Sequence, residues 1–203
     1  MKNTRLSMLG FTLAVLSFTF ISCNNNARND SVQRAENIND STAQVNEEDA
    51  RFAVNAADLN MGTLQLADLA PERVADDRVK SIANMVQSEH EAAQSELEQI
   101  SSGKNITLPM SISNDRRDDL NDIREAEQAE NFDRKYLDLL IEHHEEARRL
   151  YEHASKDVRD VELQAFATKY LPLIKKHEEQ LKQIWDSLGY QRDMPNVIPV
   201  TNE

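Results

Sequence analysis

Along four stretches of the chain, apolar residues recur at steps of three and four, the spacing of one face of an α-helix. The clearest stripe is Leu163, Phe166, Tyr170, Ile174, His177, Leu181, Ile184 and Leu188, which predicts a helix over 163–188 ended by Gly189. Pro172 lies inside this pattern, where it lacks the N–H that bonds back four residues, so a kink is expected one turn before His177. Phe132, Tyr136, Leu140, His144, Ala147, Tyr151 and Ala154 predict a second helix, capped by Asn131. Val79, Ile82, Val86, His90, Ala93, Leu97 and Ile100 predict a third, capped by Gly103. The most N-terminal stripe is Phe52, Ala56, Leu59, Thr63, Leu66 and Ala70, behind an Asn46 cap and the acidic first turn Glu47, Glu48 and Asp49. Pro71 then closes this helix or opens the next.

Short polar links join the first helix to the second and the third to the fourth in chain order, hence two antiparallel hairpins. The connection 104–130 is long and contains Pro109, with a short extra helix expected near Asp115 to Ala129. Its main apolar residues, Leu120 and Ile123, suggest shallow docking. With four glycines and no alternating strand pattern, the chain reads as one all-α domain over 47–189. The expected architecture is a four-helix bundle whose long middle connection allows a ferritin-like crossover. Residues 190–203 read as an irregular tail. Residues 23–46, rich in Asn, Ser, Asp and Ala, read as a disordered, solvated tether.

The N-terminus changes the picture. Lys2 and Arg5 precede an apolar run, Leu6 to Ser22, of the length of a signal h-region, and Ser22 stands directly before Cys23, the one cysteine of the chain. A small residue before a lone cysteine resembles a bacterial lipobox, in which Cys23 is lipidated and begins the mature chain; Phe20 departs from the usual aliphatic position. Residues 1–22 are therefore expected to be a lipoprotein signal peptide. Their removal takes the formal net charge from −13 to −15. Nucleic acid is excluded as a partner on charge, and membrane association is expected through the lipid, facing the periplasm or the cell surface from the outer membrane.

Candidate chemistry centres on the histidines. His90, His144 and His177 fall on inward stripes of three helices. A rise of about 1.5 Å per residue puts them at depths of about 16 to 25 Å, so they can share one layer. Three neutral imidazoles can hold zinc or copper with an open position. Histidines in a bundle stripe read first, however, as core polar residues satisfied by neighbours, for which Glu89, Asp133 and Tyr136 are available. The residues three before the histidines are Gln87, Ile141 and Ile174, so the Glu-x-x-His pairs of a di-iron centre are absent. His143 and His153, amid Glu142, Glu145, Glu146 and Glu152, read as parts of a solvated charged face. No nucleophile stands with a base at recognisable spacing, and there is no glycine-rich phosphate loop, so the sequence does not point to an enzyme and names no catalytic residue.

Glu89-His90, Phe132-Asp133 with Tyr136 and His144, and Phe166-Ala167 with Leu171-Pro172 and His177 together resemble a bacterial outer-membrane protein family, domain of unknown function family 4142. The resemblance covers about Ala50 to Leu188. It implies a ferritin-like helical bundle and an envelope address, gives Pro172, Phe132, Asp133, Tyr136 and Glu89 structural weight, and supplies no activity. That family often carries a glutamate where this chain has Thr63. The resulting expectation is a lipid-anchored, non-enzymatic envelope module without a cofactor, meeting a protein or wall component. The alternative is a zinc- or copper-binding bundle using His90, His144 and His177.

Overall fold

The computed structural model describes residues 30–126 and 129–190, and within these every regular element is helical. The elements are α1 (Ser31–Asp40), α2 (Glu47–Ala67), α3 (Ala70–Arg73), α4 (Asp77–Gly103), α5 (Asn114–Arg124), α6 (Ala129–Asp157) and α7 (Val161–Ser187). Among the described residues no helix is long and apolar enough to cross a membrane.

Three of the four long helices start where a side chain takes orphan N–H groups. Asn46 accepts from the N–H of Glu48 and Asp49, Asp76 from Arg78, and Asp160 from Glu162 and Leu163. The end of α7 is a Schellman motif. Gly189 has φ +69, a left-handed conformation that suits glycine. Its N–H bonds the Asp186 carbonyl at 3.0 Å, the Tyr190 N–H bonds Trp185 at 3.3 Å, and the two rings pack edge to face at 5.2 Å.

Four long helices form the bundle, and cross-links between their ends give its topology. Asp49 at the start of α2 accepts from the Arg159 N–H, and Lys104 after α4 pairs with Asp160. At the opposite end Asp133 of α6 accepts from the N–H groups of Ala75 and Asp76, while Arg78 of α4 reaches Ser187 of α7. Thus α2 runs one way, α4 and α6 the other, and α7 back again. The connection after α4 crosses the length of the bundle with α5 on it, the up-down-down-up order of ferritin-like folds.

Several local expectations need correction. Residues 31–40, read as tether, form α1, because Ser31, Ala35 and Asn39 bury one small-residue face and Asn39 hydrogen-bonds both polar groups of the Thr107 backbone. Leu120 and Ile123 of α5 are fully buried, not shallow, since the crossover lies in the groove over α2 and α6. Pro71 does neither of the two things expected; it sits in the first turn of the separate four-residue α3. Gly103 ends α4 as its last helical residue, and the positive φ falls on Asn105. Asn131 lies inside α6, which begins at Ala129. The signal peptide, Cys23 and the tail from 191 lie outside the described residues.

The core divides in two along the bundle axis. One cluster gathers Leu66, Val86, Leu120, Phe132, Tyr136, Leu140, Ile141, Leu181 and Trp185. The other gathers Phe52, Leu59, Ala93, Leu97, Tyr151, Leu163, Phe166, Tyr170 and Ile174. Between them every long helix contributes polar side chains: Asn60 and Thr63 from α2, His90 from α4, His143 and His144 from α6, and His177 from α7, all buried. Pro172 leaves α7 continuous through this level. It is solvent-exposed, as is Thr168, whose carbonyl lost its helical partner.

Candidate metal centre

This polar belt brings together the three histidines that the stripes placed inward. The ring centroids of His90 and His144 are 5.3 Å apart, those of His144 and His177 5.4 Å, and those of His90 and His177 5.8 Å. One nitrogen of each ring lies within 4.8 Å of the corresponding nitrogen of the other two. His177 has no exposed surface, His144 has 1% and His90 has 6%.

The second nitrogen of each ring faces an oxygen, which fixes the tautomer. His144 Nδ1 is 2.7 Å from the Leu140 carbonyl, an atom that can only accept, so Nδ1 carries the proton. His90 Nδ1 is 2.6 Å from Asn60 Oδ1. The amide orientation of Asn60 is itself determined, because its Nδ2 donates to the His90 carbonyl and to Gln94 Oε1, each at 3.0 Å. His177 Nε2 donates to the Glu89 carboxylate. The remaining nitrogens, His90 Nε2, His144 Nε2 and His177 Nδ1, are buried without a hydrogen-bond partner. Each of the three clustered rings therefore keeps one bare lone pair in the interior of the bundle.

Electrostatics keep these rings neutral. Burial lowers the His90 pKa well below its ordinary value, and the neighbouring histidines lower it further. Burial brings His144 down to about 4, with the Leu140 carbonyl partly opposing. His177 is also lowered by burial, against the pull of Glu89. Neutral imidazole is the form that binds a cation. An outer oxygen on each ring, of carbonyl, amide and carboxylate type, is the arrangement that orients metal-bound histidines and raises their basicity. A zinc or copper ion with bonds of about 2.0–2.1 Å needs its nitrogens about 3.3 Å apart, a closure by about 1.5 Å from the present outer limit. Imidazoles alone suit zinc and copper and not the hard cations that prefer oxygen.

The other singled-out residues are spread along the bundle. Only Glu89 of the three expected partners reaches a histidine. Asp133 instead secures the turn before α4, accepting from Ala75 and Asp76. Tyr136 and Phe132 stack at 5.9 Å within the core beyond the belt, with the Tyr136 hydroxyl unpartnered. The guanidinium of Arg73 lies 4.5 Å over the Phe132 ring. His153 is on the charged face, 3.6 Å from Asp157. His143 is not on that face: it is 2% exposed, with Nδ1 3.2 Å from the Thr63 hydroxyl, and burial brings its pKa down to about 3. The stripe reading missed Asn60, although it stands four residues after Ala56 and three before Thr63, an inward spacing.

The sequence matches the family described as Domain of unknown function (DUF4142) over residues 35–184. No curated protein matches it. Among solved structures, the chain is similar to a DUF305 fragment from Deinococcus radiodurans, at a TM-score of 0.62 and 16% identity over 69% of this chain and 96% of that one. It is also similar to CopM in its Cu(II)-bound form, at a TM-score of 0.59 and 16% identity over 69% of this chain and 97% of that one. At such identity these likenesses show the shared helical-bundle fold alone.

Proposed function

Because the chain belongs to the family described as Domain of unknown function (DUF4142), its role has to be read from its own residues, and we propose that it is a metal-binding domain. In this reading His90 Nε2, His144 Nε2 and His177 Nδ1 hold one copper or zinc ion and leave a coordination position open. The observation that carries it is the clustering of three buried, unpartnered lone pairs on neutral rings. A layer of core histidines would satisfy both nitrogens, since each unpaired buried acceptor costs about 1–3 kcal/mol. A cation at the centre removes that cost for all three rings. The Cu(II)-bound relative supports copper as a candidate by showing the metal with a bundle of this shape.

Titration of the full chain with Cu(I), Cu(II) and Zn(II), combined with elemental analysis and thermal melting, tests this. One ion per chain and a rise in melting temperature are expected. No retained metal, with no thermal shift at high micromolar concentrations, removes the reading.

We further infer that the chain is a lipid-anchored protein of the cell envelope, carried on the outer membrane. Lys2 and Arg5, the apolar run to Ser22 and the single Cys23 support this. Cys23→Ser is expected to move the protein from the membrane to the soluble fraction. Persistent tight membrane association of that variant would exclude the lipid as its anchor. A role through contacts with an envelope protein or wall component has less support. Large exposed apolar side chains among the described residues are limited to Ile38, Met110 and Val161, too few for the apolar centre of a protein interface.

A further inference from the structure

A lipid at Cys23 constrains how the domain can sit. The described residues begin at Asp30, seven positions later, and seven residues span at most about 25 Å even when fully extended. The 27 residues of α7 are about 40 Å long. The side of the bundle at which the chain enters is therefore held close to the lipid.

That side is built as one rigid piece. Asp30 caps α1 with one oxygen and accepts from the Asn114 N–H with the other, each at 2.8 Å. The Ser31 hydroxyl accepts from the N–H groups of Met110 and Ser111 at 2.9 and 3.2 Å. Asn39 grips Thr107, accepting from its N–H at 2.8 Å and donating to its carbonyl at 2.9 Å. Helix α1 is thereby fastened along the connection 104–113 and packs on α2, and Ser113 at the end of that connection donates its N–H to Asp58 of α2.

The chemistry of this surface differs from that of the rest of an acidic chain. Met110 is 96% exposed and Ile38 49%, two of the three large apolar side chains that face solvent among the described residues. Ser31, Arg34 and Ile38 are spaced by three and four and share one flank of α1, the flank from which Ser31 holds Met110. The connection 104–113 contains no acid, and its one cation, Lys104, is paired with Asp160 and Glu162. The acids Glu36 and Asp40 turn to the other flank, into a groove with Glu47 and Arg51.

From this we propose that the surface formed by α1 and the connection 104–113 rests on the membrane, with Met110 and Ile38 in the bilayer interface and Arg34 at headgroup level. This orientation rests on the lipid-anchor reading. A lipid anchor supplies the affinity, and two apolar side chains with one cation set the angle. A face dense in carboxylates would be pushed away from anionic headgroups, and this one is not.

The experiment uses the full acylated chain, purified from membranes and reconstituted in phosphatidylcholine vesicles. Nitroxide labels are placed on Met110→Cys, Ile38→Cys and, on α7, Glu179→Cys; acylation of Cys23 leaves each new thiol as the one that reacts. Collision with an aqueous chromium complex is compared with that in the soluble Cys23→Ser form of each variant. Collision at 110 and 38 is expected to fall about threefold or more on the vesicles, with 179 unchanged. A chain that floats with the vesicles but keeps 110 and 38 as open to water as in solution overturns the orientation. A chain that does not float overturns the anchor, and the orientation with it. Melting curves of the labelled soluble forms separate misfolding from either result.

Discussion

The Nε2–H of His177 donates to the carboxylate of Glu89, a third-exposed side chain on the neighbouring helix, and so turns the bare Nδ1 of His177 toward His90 and His144. Glu89 would therefore act on a bound ion through the ring it orients. Glu89→Gln keeps an acceptor for Nε2 and loses the charge. Metal affinity is expected to fall about tenfold or more, while the melting temperature of the metal-free protein changes little. Equal affinity for the two proteins, measured by competition with a chelator, would show that Glu89 does not tune the site.

Ligand and core roles separate at the adjacent pair His143 and His144. Replacing His144 by Leu removes an unpartnered nitrogen, and the Leu140 carbonyl keeps its helical N–H. Metal-free His144→Leu is expected to be as stable as the parent or more stable by up to about 1 kcal/mol, and to bind no metal. His143→Leu is expected to retain the ion and to lose stability with the Thr63 contact. Urea melts with and without metal on both variants decide the matter, and a shared loss of metal would move His143 into the centre.

Gly62 shows how tightly the crossover is seated. A Cβ there would stand 2.8 Å from Cδ of Arg116 and 3.4 Å from Cε1 of His143. Arg116 has little freedom to retreat, since it bonds Asp58 at 2.9 Å and Glu146 at 2.7 Å. Gly62→Ala is expected to cost about 1–3 kcal/mol from overpacking, more than the roughly 1 kcal/mol that alanine gains in a helix. A more stable variant in thermal or urea melts would mean that α5 can lift off α2.

Asp76 gives an acid-sensitive contribution away from the histidines. The Arg78 side chain, followed by the helix N–H groups, holds its pKa at about 2 against an ordinary 3.8. Its folded value is depressed, so the stabilisation is complete above 3.8 and is lost as pH falls through about 2. Asp76→Asn keeps a capping oxygen without the charge. The stability gap between parent and variant is expected to be nearly constant from neutral pH down to about 4, to narrow steeply toward pH 2 and to close below it. A gap of undiminished size at pH 2 would assign the effect to the cap alone.

How much of this was legible in the sequence depends on what each residue packs against. The stripes on α2, α4, α6 and α7 show in the primary pattern because each helix buries a continuous face of large side chains, and His90, His144 and His177 follow from the same periodicity. His143 is one residue from His144 and points about 100° around α6, so its burial depends on α2 and α5 arriving on that side, which no local pattern records. The depth of Leu120 and Ile123 likewise comes from the course of the crossover. Helix α1 was hidden because its buried face is Ser31, Ala35 and Asn39, held by hydrogen bonds in place of apolar area. The partners Asn60, Leu140 and Glu89 were only partly readable, since a carbonyl carries no signature in the sequence and an inward Asn resembles any polar interruption.

The belt also has a mechanical consequence. It divides the hydrophobic interior into two stacked halves, one around Tyr136 and Trp185 and one around Phe166 and Tyr151. The four long helices run unbroken through this level, but their lateral contacts there are hydrogen bonds of polar side chains in place of apolar packing, so the halves can open at different free energies. An ion bound to α4, α6 and α7 would act as a cross-bar between the two apolar clusters. Amide hydrogen exchange would then slow most around His90, His144 and His177, and the two halves would lose their structure in a single step.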